Sequence, residues 1–138
     1  MDMKKTLGAI VASFVAQYGG DYLLHGVMLK SSYADTADMW RSDADMLHRM
    51  WILILAQLIF ATAAVLIYQR GVEKKAWVGQ GIRFGILLAM IAVLPNNMIW
   101  YVVLPMPHTL ALHSALGDGI LALLVGLVIA GICQPKQA

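Results

Sequence analysis

Residues 50–68 read MWILILAQLIFATAAVLIY, nineteen consecutive positions without a charged side chain. At a rise of about 1.5 Å per residue, a helix of that length covers nearly the whole of a hydrocarbon core about 30 Å thick. Working outward from this run, three more segments have the same character, so the expected spans are Thr6–Leu29, Met50–Tyr68, Gly79–Leu104 and Thr109–Cys133. Residues 30–49 form a first loop, and two shorter connections lie around Arg70–Val78 and Pro105–His108. The expectation is an all-α, four-helix antiparallel bundle embedded in a membrane, with residues 1–138 as one domain.

Composition agrees. Of 138 residues, 60% are hydrophobic and only 13% charged, with a mean hydropathy of +0.71, far from the globular balance of about half apolar and a quarter charged. The net charge of +2 comes from scattered Lys and Arg, which gives no basic face for nucleic acid. A single cysteine, Cys133, rules out an internal disulfide and a two-cysteine relay. Met1–Lys5 followed by apolar Leu7–Ala16 has the outline of a secretory signal. Apolar character resumes through Tyr22–Met28, however, so the expectation is an uncleaved signal-anchor helix.

An even number of spans places both termini on one side. Lys4, Lys5, Arg70, Lys74, Lys75, Arg83 and Lys136 fall on that side, against Lys30, Arg41 and Arg49 on the other. The excess of Lys and Arg marks the first side as cytoplasmic, giving an N-in, C-in topology in a cell inner membrane. In the first outer loop, Met39, Trp40, Met46, Leu47, Met50 and Trp51 follow a helical stripe opposite four aspartates, which predicts a short amphipathic interfacial helix. Ser42, three residues before Asp45, is placed to cap a helix that continues into the second span. Tyr33, Trp40, Trp51, Trp100 and Tyr101 would form an outer aromatic belt.

Helices in lipid associate through close contact of small residues. Gly8, Ala12, Ala16 and Gly20 make such a stripe on the first helix, Gly119, Ala122, Gly126 and Ala130 on the fourth, and Gly81 with Gly85 on the third. These stripes serve packing within the chain first. Beyond membrane lipids, a homo-oligomer or a larger membrane complex is the expected class of partner.

Ionisable groups at membrane depth cost about 2.5–3.5 kcal/mol on insertion scales, so each calls for a partner or a purpose. Asp21 and Asp118 are the two carboxylates so placed. Gln17, Asp21 and His25 share a face by their spacing of four, with Tyr18 beside them. On the third helix Pro95, which lacks an N–H and clashes with the preceding turn, precedes Asn96 and Asn97 at similar depth. On the fourth, Ser114 and Asp118 share a face. The candidate ligand-binding residues are therefore Tyr18, Asp21, His25, Asn96, Asn97, Ser114 and Asp118, all in the outer half, around an expected polar cavity that faces outward.

His25, Met46, His48, Met50 and His113 are the candidate metal ligands, since thioether and imidazole suit Cu(I). A haem b between His25 and His113 is the other cofactor option. Neither pattern is specific: Met46, His48 and Met50 at i, i+2 and i+4 do not converge on a helix, and no cofactor at all is the favoured reading. There is no catalytic constellation to name, because His113, Ser114 and Asp118 occupy one helix with misaligned faces, and no phosphate loop or H-E-x-x-H motif occurs. The functional expectation is a binding or accessory subunit whose outward cavity takes a lipid headgroup or small molecule. The alternatives are an oligomeric cation or solute carrier using Asp21 and Asp118, and an outward-facing copper or haem protein.

Overall fold

The computed structural model describes residues 2–134, and every described element is helical. Met1 and Lys136, the latter counted in the charge asymmetry, lie outside the described residues. The α-helices are α1 (Met3–Asp21), α2 (Lys30–Ala34), α3 (Asp43–His48), α4 (Met50–Gly71), α5 (Trp77–Leu88), α6 (Leu94–Val103) and α7 (His108–Cys133). Three continuous helices, Met50–Gly71, Trp77–Val103 and His108–Cys133, are long and apolar enough to cross a membrane. The first segment falls short of the other three. Lys4, Lys5, Gln17 and Asp21 dilute its apolar character, and its α-helical bonding stops at Asp21, where a seven-residue π-helix takes over through Met28.

A second π-helical stretch, Ala89–Val93, joins α5 to α6. Its cause is legible: Pro95 cannot donate a backbone hydrogen bond and its ring collides with the carbonyl four residues back. Widening the preceding turn relieves both problems. The Val93 carbonyl, at the end of the widened turn, accepts from Asn97 Nδ2 at 3.2 Å.

α7 is the central element. It packs along α5 on one side and α1 on another, while α4 lies mainly on α1. Gly81 faces Leu127 and Ala130, and Gly85, four residues on, faces Leu123, so α5 and α7 run in opposite directions. A methyl group added to Gly126 would sit 2.5 Å from the Gly81 carbonyl oxygen and 2.6 Å from the Gly85 nitrogen. Backbone meets backbone there, which only glycine permits. Gly20 beneath Leu121 and Gly117 beneath Leu24 allow a looser approach against side chains. Gly8 and Gly119, by contrast, face open space, so the small-residue stripes contact a neighbour over only part of their length.

Around this seam Val65, Val125, Ile129 and Ala130 are completely buried. The large aliphatic side chains on the outer faces, Ile52, Leu53, Ile59, Ile91 and Val102 among them, are exposed, as a lipid-facing surface requires. α4 and α5 do not close on each other along their length. Tyr68 and Phe84 meet edge to face across the gap, with ring centroids 5.2 Å apart.

The first loop departs from a single interfacial helix. It breaks into α2, a 3₁₀ turn at Ala37–Met39, and α3. Ser42 does cap α3, accepting from Asp45 N at 3.3 Å, but the helix is interrupted at Arg49 before α4 begins. Asp45 pairs with Arg41 at 2.8 Å and Arg49 at 3.0 Å. Tyr33 and Trp40 turn inward onto the buried cluster of Leu24, Leu29, Leu110 and Leu121, whereas Trp51 and Trp100 stay exposed.

Candidate cation site

Asp21 ends α1, His25 sits one turn later in the π-helix, and Asp118 projects from α7. Ligand atoms from all three lie within 4.8 Å of one another. His25 Nε2 is 3.0 Å from Asp118 Oδ1, and His25 Nδ1 is 2.8 Å from the Tyr33 hydroxyl. Both side chains of the His25–Asp118 pair are mostly buried, at 31% and 21% exposure.

The remaining oxygens are held by amides. Asn97 Nδ2 donates to Asp118 Oδ2 at 3.0 Å. Gln17 Nε2 donates to both oxygens of Asp21, at 3.2 and 3.1 Å, and Gln57 Nε2 adds a further bond from α4. Among the described residues no Lys or Arg bonds either carboxylate. His25 is therefore the one basic side chain bonded to this pair of carboxyl groups among the described residues.

His25 is poised between two tautomers by its partners. With the proton on Nε2 it donates to Asp118 while Nδ1 accepts from Tyr33. With the proton on Nδ1, donated to the Tyr33 oxygen, Nε2 presents a lone pair toward the two carboxylates. That second arrangement is how protein ligands hold a metal-bound imidazole. Burial pushes the Tyr33 phenol up, so it remains a neutral hydroxyl able to serve in either sense. Gln57 Oε1, on the same amide that bonds Asp21, is buried without a partner, and Ser114, one turn before Asp118, is buried beside the Tyr33 hydroxyl.

Of the residues expected from the sequence, His25, Asn97 and Asp118 are thus joined by direct bonds, Asp21 lies within 4.8 Å of His25 and Asp118, and Ser114 is buried one turn before Asp118 on α7. Asn96 is exposed, because adjacent helical residues point about 100° apart. Tyr18 stacks on Phe14, centroids 5.9 Å apart, and makes no bond to the cluster. His113 is exposed, about 140° around α7 from Asp118, while both ring nitrogens of His25 are engaged; the two do not form a haem-ligating pair. Met46 and His48 are exposed on α3, with Met50 beyond the break at Arg49.

Three contributors stand outside that expected set: Gln17, whose spacing of four from Asp21 already aligned it, Gln57 and Tyr33. Gln57 is the one amide within the uncharged run 50–68, and that isolation is a readable signal. Tyr33 carries no comparable mark, because only the folding of the loop back over the helix ends delivers it. No protein-family model, curated protein or solved structure matches the chain, so the geometry alone carries the functional reading.

Proposed function

We propose that the chain is a single-domain, four-span antiparallel bundle, N-in and C-in in a cell inner membrane, that binds one divalent transition-metal cation through Asp21, His25 and Asp118 in its outer half. The observation that carries this is the convergence of three ligand atoms from two helices in a half-buried, carboxyl-rich cluster to which, among the described residues, no Lys or Arg is bonded. One imidazole nitrogen and two carboxylate oxygens suit Zn²⁺, Mn²⁺ or Fe²⁺; without a thiolate or thioether in the set, Cu(I) is disfavoured. Tyr33, Asn97, Gln17 and Gln57 would orient the ligands from behind.

The topology is supported by the basic residues at the far end, where Lys5 Nζ reaches the Gln134 carbonyl at 3.4 Å and Glu73 pairs with Lys75. The first segment reaches spanning length when its π-helical turns are included. Binding is favoured over conduction because α7 continues from Asp118 into Val125 and Ile129, both apolar and fully buried.

Metal analysis of detergent-purified protein equilibrated with micromolar ZnCl₂ or MnCl₂ tests the reading. About one ion per chain is expected, lost in Asp118→Asn and His25→Ala. Metal no higher than in a detergent blank, or binding indifferent to both substitutions, would sink it.

A further inference from the structure

At the opposite end from Asp21, the gap between α4 and α5 is a groove of about 510 Å³. Its walls are apolar, including Phe60, Ala63, Ile67, Leu88 and Ile91, and its mouth carries Gln80 and Arg83. A second hollow of about 400 Å³ opens at the same mouth, lined by Lys75, Ala76, Gly79, Gln80 and Arg83. Gln80 ties the mouth together, accepting from Glu73 N at 2.8 Å and donating to the Glu73 and Lys75 carbonyls at 3.0 and 2.9 Å. This fixes the turn so that Lys75 and Arg83 flank one opening.

We infer that this groove is a binding site for one anionic phospholipid, its phosphate between Arg83 and Lys75 and one acyl chain laid along α4 and α5. Three independent observations converge on that ligand. Charge is the first: Lys75 and Arg83 line the mouth, and Glu73, paired with Lys75, is the one carboxylate among the lining residues. Arg83 lies 4.0 Å from Glu73 with its side chain 60% exposed, so its planar donors are available to a phosphate.

An orphaned hydroxyl is the second. Tyr68 lines the groove one turn inside the mouth, is only 5% exposed, and its hydroxyl has no hydrogen-bond partner. Buried hydroxyls rarely go unpaired. At that depth a phospholipid presents ester oxygens, which accept from such a group.

Dimensions are the third. From Phe60 to Gly71 the groove follows α4 for about 16 Å, close to half of a hydrocarbon core about 30 Å thick. That is the depth of one leaflet. The site is separate from the Asp21 cluster and does not depend on the cation reading.

Native mass spectrometry of the intact protein in non-ionic detergent tests this, with palmitoyl-oleoyl phosphatidylglycerol, the matching phosphatidylcholine and inorganic phosphate as probes. One phosphatidylglycerol per chain is expected, retained at least about tenfold better than phosphatidylcholine. Lys75→Gln/Arg83→Gln should lose about tenfold or more in retention, as expected for removing charge-assisted bonds to phosphate. Ala63→Trp, which fills the groove from an exposed position, should lose a similar factor, and Tyr68→Phe a few-fold. Equal retention of both lipids, or indifference to Lys75→Gln/Arg83→Gln, overturns the assignment. So does phosphate alone binding equally to wild type and Ala63→Trp, or a protein dimer that Ala63→Trp abolishes. Should Ala63→Trp fail to fold, the surface double substitution still decides the matter.

Discussion

The seam between α5 and α7 and the cluster around Asp118 lie on the same helix, yet they hold the protein together by opposite means. At Gly81, Gly85 and Gly126 the contact is backbone against backbone with nothing polar to satisfy. At Asp21, His25 and Asp118 the contact is a set of hydrogen bonds among groups that lipid would not tolerate unpaired. The seam is rigid because no atom in it has an alternative place to go. The cluster has alternatives built in, since its imidazole has two tautomers and its amides can turn. Stability is concentrated in the first and adjustable chemistry in the second.

Breaking the seam should have the largest effect. Gly126→Val places side-chain atoms where the Gly81 and Gly85 backbones already sit, and we expect a loss of about 3 kcal/mol or more, read as loss of monodisperse protein and helical signal in detergent. Gly8→Ala, into open space, should instead be neutral or stabilising by up to about 1 kcal/mol. If both variants behave alike, the seam is not the structural anchor described.

Asp118→Asn is expected next in size. It removes the anion facing His25 and should lower stability by about 1–3 kcal/mol while abolishing metal uptake. Unfolding with graded SDS and metal analysis on the same preparation separate the two effects. Tyr33→Phe is a finer probe, because it leaves all three ligands in place and removes only the group that sets the imidazole tautomer. A drop of about 10- to 100-fold in metal affinity, with little change in unfolding, is expected; unchanged affinity would remove Tyr33 from the site.

The smallest effect should come from the loop. The Arg41 guanidinium bonded to Asp45, aided by the nearby Arg49 charge, holds the Asp45 carboxyl below the usual carboxylate range. A group with its pKa lowered by folding contributes stability above its unfolded pKa, near 3.9, and loses it as pH falls through the lower folded value. Helical signal followed from pH 5 to pH 2 should therefore decline slightly in wild type, and this component should be absent in Asp45→Asn. A decline of identical size in both would assign it to other carboxylates.

Much of this comparison is visible in the residues themselves. Long uncharged runs place the helices, and a spacing of four aligns Gln17 with Asp21, whose side chains are hydrogen-bonded. What spacing does not contain is the rotation of one helix relative to another. Asn96 and Asn97 are adjacent and chemically equal; which of them meets Asp118 depends on the phase of the π turn ahead of Pro95. Gly81, Gly85, Gly119 and Gly126 look equivalent as small residues, yet Gly119 meets nothing while the others meet backbone. Arg49, which interrupts the path from α3 to α4, has no sequence feature that announces a break.

The π-helical stretch at Tyr22–Met28 has one more consequence. Each of its turns holds an extra residue compared with an α-turn, so the segment stores slack in the chain directly beneath His25. Removing one residue between Tyr22 and Leu24 would be absorbed as the wide turn tightens to an α-helix, so the residues beyond it keep their angular position. A single-codon deletion there should thus leave His25 opposite Asp118, whereas the same deletion in the regular α-helix between Ser114 and Asp118 would swing the two ends of α7 by about 100° relative to each other.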